Sequence, residues 1–496
     1  MIMAQERSIL KAKAQLEQMA DLVRQASRDN RSIDQVERDL WTQMQQAGLL
    51  MLRALVEGHG GGDLGPTLEH QGQTLRRLEK KHDRRYVSVF GELRISRTVY
   101  GSRETQKHEV VPLDSILNLP EGDFGYLVQE WDQLFCVQGS YEQSRRTVEQ
   151  ILGIGQSVRS LEHMNRSMAG AVESFRQKRP KPPSQEEGSI LVLTADGKGV
   201  SMRRDPEQDG PRVRGRLSKG QKANKKRQAC VGAVYSIDPF VRKPQEVVDE
   251  VMRDRCQADR PVPQHKQLRA ELSRPMDEVE VNGKERIFSW FGQEVKARNA
   301  KGDKPVVCVM DGDRALWKML ATLLIPVVCI LDLFHVLERL WAAAHCFHPE
   351  GSAEAQTFVS DRLERILNGE VGRVIGGLKQ MGTKLQLRGS RAKQLSAVIG
   401  YLQRNRRFMH YDQYLANGYP IGSGVAEGAC RHLVKDRMEL TGMHWRLSGA
   451  QAMLDLRALY LNDDWEAFGA HRIKTECRRL YPYRAAAIGQ QRKPAA

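Results

Sequence analysis

Three apolar runs in this chain each break off at an acidic residue: ILVLTADGKG (Ile190 to Gly199), VVCVMDGD (Val306 to Asp313) and VVCILDLFH (Val327 to His335). A β-branched run without polar alternation reads as a strand buried on both faces. Three such strands would gather Asp196, Asp311 and Asp332 along one edge of one sheet. The pattern therefore predicts an α/β fold built on a buried sheet, and it raises the question of what needs carboxylates there. A single strand-end Asp also serves as a turn residue or helix N-cap, and Asp332 is placed to cap a helix running from His335 to Trp341.

With 496 residues the chain is long for a single core, so two or more domains are expected. Lys and Arg outnumber Asp and Glu 77 to 61, a net charge of +16 that would draw the protein to a polyanion, nucleic acid first. No apolar run reaches the roughly 18 residues of a membrane span, and the amphipathic opening MIMAQERSILKAKAQLEQM does not read as a signal peptide. A cytoplasmic, membrane-free protein is expected. The eight cysteines form no C-x-x-C pair and several sit inside apolar runs, so they read as small buried hydrophobes rather than zinc ligands.

In chain order, residues 1–65 read as a helical hairpin closed by HGGGDLG, and 66–120 as a small β-hairpin region. Within the latter, RRYVSVFGELRISRTVYGS places Arg84, Arg85, Arg94 and Arg97 on exposed positions, as a solvated face or a DNA-facing ribbon. Residues 121–180 return to helix. Two segments there are joined by Gly153-Ile154-Gly155, with Ser157 as N-cap of the second, which offers Arg159, His163 and Arg166. This suits a helix-turn-helix reading DNA, and equally a plain packed helix pair. KRPKPPSQEEGS (Lys178 to Ser189) is a Pro-rich connector. The sheet domain follows over 189–336. Between its first two strands lies a basic excursion (Arg203, Arg204, Arg212, Arg214, Arg216, Lys219, Lys222, Lys225, Lys226, Arg227), a solvated loop or a hold on a phosphate backbone. Residues 337–418 carry only helical periodicity and read as an insertion. Residues 419–465 return to the core with GYPIGSGVAEGACRHLVKDRMELTGMHW, where Ser423 is a candidate cap and Glu427, Arg431 and Lys435 recur every fourth residue of a helix. A basic tail over 466–496 is expected to fray.

Asp196 and Asp311 from adjacent strand ends, joined by Glu427, would form an all-oxygen donor set suited to Mg²⁺ or Mn²⁺. Two such ions about 3.5–4 Å apart can stabilise both oxygens of an in-line phosphoryl transfer. Mutual repulsion would keep metal binding weak until a phosphate joins the site. Asp313 is a rival to Asp311.

The order ADGKG, VMDGD, DLFH, helical insertion and GVAEGACRHLVKDRM resembles the DDE transposases of bacterial insertion sequences, nearest the Mutator-like group and its ISKra-type branch. LDLFHVLERLWAAAHCFH and SGVAEGACRHLVKDRMELTG carry most of the likeness, which spans nearly the whole chain. The resemblance implies an RNase H-like mixed-sheet core interrupted by the insertion and preceded by a mainly helical DNA-binding region. It implies catalytic, metal-binding Asp196, Asp311 and Glu427, with Asp332 and His335 as a supporting C/D-x-x-H motif. It also implies cleavage and strand transfer with two Mg²⁺ or Mn²⁺ ions, at least a homodimer on terminal inverted repeats and target DNA, and a nucleoid-associated location. Lys198, Arg431 and Lys435 are candidate phosphate contacts, because each shares a loop or helix with a proposed ligand. A cutting but non-joining nuclease of the same fold, or a non-catalytic DNA-binding relative, are the alternatives.

Overall fold

The computed structural model describes residues 2–70, 72–102, 110–203, 226–253, 259–276, 279–440 and 442–491. Arg204, Arg212, Arg214, Arg216, Lys219, Lys222 and Lys225 of the basic excursion lie outside them. The chain divides into two compact units, one of residues 1–177 with 464–496 and one of residues 178–463.

The first unit opens with two long helices, α1 (Ile2–Arg28) and α2 (Ile33–Glu57), ended by Gly60, Gly61 and Gly62. All three glycines have positive φ (58°, 77° and 75°), which other residues adopt only at a cost. Three short strands follow as one sheet: β1 (Thr67–His70), β2 (Gln73–Arg77) and, after the next hairpin, β5 (Tyr100–Gly101). The hairpin is β3 (His82–Ser88) with β4 (Gly91–Arg97). Its register corrects one expectation. Arg84 and Arg97 are not exposed; they share the face of Tyr86, Leu93 and Ile95, and both pair with the buried Asp114 at 2.9 and 2.6 Å. Period-two alternation puts them there, and Asp114 supplies the counter-charge that such burial needs.

After α3 (Pro112–Leu117), three helices pack together: α4 (Tyr126–Cys136), α5 (Tyr141–Leu152) and α6 (Val158–Ala169). Gly153 ends α5 in the left-handed conformation, and the Ser157 hydroxyl accepts from the Ser160 amide at 3.0 Å to cap α6. Gln133 of α4 donates to the Leu161 carbonyl and accepts from Asn165, fixing α6 against α4. Arg159, His163 and Arg166 remain exposed on α6. After α7 (Val172–Lys178), the unit is completed by the C-terminal helices Trp465–Leu480 and Arg484–Gln491. This stretch is not a frayed tail: Phe468 packs edge-on to Phe175, and the Tyr481 hydroxyl donates to the Leu119 carbonyl at 2.7 Å. Those apolar anchors are spaced among many charges, which is why composition alone suggested fraying.

The second unit is a mixed α/β body. Its five-stranded sheet has the order β12-β11-β6-β7-β8, with β6 (Ile190–Ser201), β7 (Lys226–Ile237), β8 (Gln264–Leu272), β11 (Val306–Met310) and β12 (Val328–Leu331). β6, β11 and β12 run parallel, while β7 is antiparallel to both of its neighbours. A small hairpin, β9 (Arg274–Met276) with β10 (Val279–Val281), precedes the parallel strands. One face of the sheet (Val192, Val307, Val309, Ile330) packs on the inserted helices and α8 (Pro244–Arg253). The other (Leu193, Ala195, Cys308, Met310) packs on α9 (Gly283–Arg298) and α10 (Arg314–Ala321) through Ile287, Phe288, Phe291 and Leu316. Burial on both faces explains the unbroken apolar runs.

Side chains close both sheet edges. Tyr411 and Tyr414 hydroxyls donate to the Leu331 and Cys329 carbonyls of β12, and the side-chain amides of Gln451 and Asn462 bond both donors and acceptors of β8. Polar groups that would otherwise template another strand are thereby satisfied. After α11 (Leu333–Ala344), the inserted segment is helical: α12 (Ala353–Leu367), α13 (Val371–Lys384), α14 (Gly389–Asn405) and α15 (Tyr411–Ala416). The chain then re-enters the core through α16 (Gly424–Ala429), which continues as a π-helical turn over Cys430–Lys435.

Candidate metal centre at the ends of three strands

The strand register aligns Ala195 with Met310 and Met310 with Leu331. The next residues are Asp196, Asp311 and Asp332, so the three carboxylates form one row across β6, β11 and β12. The Asp332 amide extends that row by donating to the Met310 carbonyl at 2.9 Å.

The three acids are treated very differently. Asp332 is fully buried and well supplied with donors: the Phe334 amide at 3.3 Å, the Ser423 amide at 3.0 Å, and His335 Nδ1 at 2.5 Å. Burial works against its charge, but His335 and the Ser423 amide outweigh it and hold the carboxyl below its usual range. The bond to Asp332 in turn raises the His335 imidazole to about 9. Asp311 goes the other way. Burial first, with the Asp196 charge adding to it, pushes its carboxyl up, and only the Asp313 amide (2.9 Å) and the more distant His335 oppose them. Asp196 accepts from the Gly197 amide at 2.6 Å and from the Cys430 thiol at 3.4 Å.

Asp313 is occupied elsewhere. One oxygen caps α10 through the Ala315 amide at 2.7 Å, and the other meets Lys284 at 3.0 Å. Although burial opposes them, these partners hold its carboxyl down. This favours Asp311 as the carboxylate free to face a ligand.

Glu427 lies on α16, exposed, with its carboxyl raised by burial and then by the charges of Asp332 and Asp196. The donor atoms that come within 4.8 Å of one another among the described residues are those of Asp332, His335 and Glu427, a group able to hold a metal ion. The sequence instead grouped Glu427 with Asp196 and Asp311. The difference follows from how α16 is anchored. Leu333 N–H donates to the Ile421 carbonyl and Ser423 N–H to Asp332, which fastens the start of α16 to the end of β12. One turn later Glu427 stands by the Asp332–His335 pair, and of the other two row acids Asp196 couples to it by charge. His335 keeps Nε2 available because Nδ1 faces Asp332, the arrangement of a ligand oriented by a carboxylate. An imidazole in the set widens the range of ions beyond Mg²⁺.

Lys198 continues β6 two residues past Asp196. With Lys226 and Lys435 it surrounds Glu439, whose carboxyl is lowered first by its bond to Lys226 at 2.7 Å. Lys198 and Lys435 are thus brought to one side of the acid row. Arg431 is exposed and only loosely paired, 3.9 Å from Asp436. The π-helical turn means that Glu427, Arg431 and Lys435 do not stack on one line, since i→i+5 bonding widens the turn beyond four residues. Ser423 caps by position only; its side chain makes no capping bond, and its amide serves Asp332 instead. Arg159 and Arg166 belong to the other compact unit.

Sequence reasoning missed Cys430, Glu338 and Tyr401. Cys430 follows Glu427 by three residues, so helical spacing was a usable signal. Glu338, one turn after His335, adds to the charge that raises Glu427. Tyr401 packs against Gly312, where an added Cβ would meet the ring at 2.5 Å. Burial, then the Asp311 charge, pushes its hydroxyl to about 12. Nothing in the pattern around Tyr401 announces this contact.

Compared with known proteins, the chain matches no family model and no curated protein.

Proposed function

We propose that the protein is a DDE-type transposase, with an RNase H-like core, that binds the ends of an insertion sequence and catalyses DNA cleavage and strand transfer. The observation that carries the reading is the carboxylate row Asp196–Asp311–Asp332, set by strand register and joined by Glu427 from a helix that re-enters after an all-helical insertion. The strand order and directions support the same reading: a three-stranded antiparallel meander followed by two parallel strands on the β6 side.

Asp196, Asp311 and Glu427 would hold two Mg²⁺ or Mn²⁺ ions, which supply Lewis-acid activation of the attacking oxygen and neutralise charge on the leaving one. Asp311 and Glu427 are the acids whose carboxyls are pushed up by burial and by acidic neighbours, so a cation would relieve them; the donor atoms already within 4.8 Å of one another are those of Glu427, Asp332 and His335, so binding by the row would draw Glu427 toward Asp196 and Asp311. Asp332, already satisfied, keeps His335 oriented and anchors the Glu427 helix. In the first step water attacks a phosphodiester at the element's end, breaking the bond to the 3′ oxygen and leaving a 3′-hydroxyl. In the second that hydroxyl attacks a target phosphodiester, forming one bond and breaking one, with no covalent protein intermediate. Lys198, Lys435 and Arg431 would contact phosphates. On the helical unit, Arg159 and Arg166 of α6 would contact the terminal repeats, and pairing two ends would need at least a homodimer.

The test is joining of a labelled oligonucleotide carrying the element's end into a plasmid. Wild type should join, whereas Asp196→Asn, Asp311→Asn and Glu427→Gln should lose joining yet retain fold and DNA binding. Cutting without joining would make the protein a nuclease. Normal joining by any of the acid variants would overturn the assignment of these acids, and DNA binding by the wild type with neither cutting nor joining would leave only a DNA-binding role.

A further inference from the structure

Between α10, the start of β12 and the end of α14 lies a half-open cavity of about 640 Å³. It begins at Gly312, the residue after Asp311, and its wall includes Trp317, whose indole N–H donates to the Asp311 carbonyl at 2.9 Å. Trp317 stacks on Phe408 of the short turn Arg406–Phe408 that follows α14, with ring centroids 4.1 Å apart and planes at 15°. The apolar floor is completed by Val327 and Cys329. Around it stand four cations from two separate elements: Arg314 and Lys318 of α10, and Arg404 and Arg407 at the end of the insertion. All four are exposed, and none has an acidic partner among the described residues; Arg407 instead lies over the Phe408 ring at 4.6 Å.

We propose that this cavity binds an unpaired nucleotide of the DNA strand whose neighbouring phosphate lies at the acid row. The volume falls within the roughly 300–1,000 Å³ of small-molecule sites, enough for one nucleotide and too little for a base pair with its two backbones. Unpartnered cations ringing an apolar, aromatic-lined floor match an anion that carries a planar ring: phosphate at the rim, base within. A protein or lipid partner would not need that combination. The covalent path from Asp311 to Gly312 and the Trp317 bond set the cavity next to the proposed chemistry, so a strand leaving the acid row reaches it within one nucleotide. The insertion thereby acquires a role in holding substrate. This inference rests on the DNA reading above.

The test is binding of a short single-stranded oligonucleotide and of a duplex of the same length by the full chain, with Ca²⁺ in place of Mg²⁺ so that the acids could still meet a phosphate through a cation while cleavage is held back. Arg404→Ala with Arg407→Ala should weaken single-strand binding by about tenfold or more and reduce its salt dependence by about 1.4 in log–log slope, as two lost phosphate contacts require. Phe408→Leu, which keeps an apolar side chain but removes the ring held between Trp317 and Arg407, should weaken it by about threefold, since a base in the cavity would meet the edge of that ring pair and not a free face. Duplex binding should change less than single-strand binding does in both variants, because a paired base stays out of the cavity. Equal loss for single strand and duplex would overturn the proposal, as would unchanged single-strand binding or equally tight binding of a free mononucleotide. Because the readout is binding, loss of joining in the acid variants with intact cavity discrimination separates the two readings. A wild type that binds neither DNA form would sink both.

Discussion

Asp311 and Asp332 end neighbouring parallel strands, follow nearly the same sequence (VVCVM and VVCIL) and stand side by side, yet their carboxyls move in opposite directions. The difference is the supply of donors. Asp332 has two backbone amides and an imidazole, so its charge is fully used in holding the turn, α11 and the start of α16. Asp311 has one amide and an acidic neighbour, so its charge has nowhere to go within the protein. A structural carboxylate and a ligand-seeking one can thus arise from the same motif, and the environment distinguishes them.

The largest expected effect is on activity. Asp311→Asn should reduce strand transfer by about 10³-fold or more while leaving denaturant stability unchanged or slightly higher, because it removes a repelled charge. A stability loss as large as that of the Asp332 variant would erase the contrast.

Asp332→Ala should destabilise the second unit by about 3–5 kcal/mol in urea unfolding, since it strands buried amides and the His335 charge. A loss under 1 kcal/mol would show that the donors find other partners.

Asp132 extends the comparison to the helical unit. It is fully buried with one donor, Gln156 at 2.6 Å, and burial raises its carboxyl from 3.8 to about 7. The folded state therefore holds this proton more tightly than the unfolded chain. Stability should be greatest below pH 4 in this contribution and fall by up to about 4 kcal/mol as pH rises through 7. Asp132→Asn should remove that slope, read as urea midpoints between pH 5 and 8; an unchanged slope would place it on other groups.

The smallest effect concerns Asp313. Asp313→Ser keeps a cap for α10 and should leave both stability and joining near wild type. Asp313→Ala should cost about 1 kcal/mol and still join. Loss of joining in the serine variant would move the ligand role from Asp311 to Asp313.

These contrasts also show what was legible in the sequence. Buried strands wrote themselves as apolar runs, and the acids that ended them did line up. The insertion was visible because strand alternation vanished for eighty residues while helical spacing continued. What depended on distant partners was not visible: Arg84 and Arg97 turn inward because Asp114 waits for them, and residues 465–491 fold because Phe175 and Leu119 receive Phe468 and Tyr481. The small sheet of β1, β2 and β5 was missed because its strands are short and carry few apolar residues. The placement of Glu427 over Asp332 and His335 followed from two backbone bonds, Leu333 to Ile421 and Ser423 to Asp332, that no residue pattern encodes.

If the under-supplied acids, Asp311 above all, bind the metal, occupancy should depend on them and on DNA. Counting bound Mn²⁺ by electron paramagnetic resonance, with and without DNA carrying the element's end, reads that dependence. The protein alone should bind Mn²⁺ weakly, two ions per chain should be held once DNA is present, and both should be lost in Asp311→Asn. Mn²⁺ bound equally by wild type and Asp311→Asn, independent of DNA, would contradict that dependence and leave Asp332, His335 and Glu427 as the metal centre.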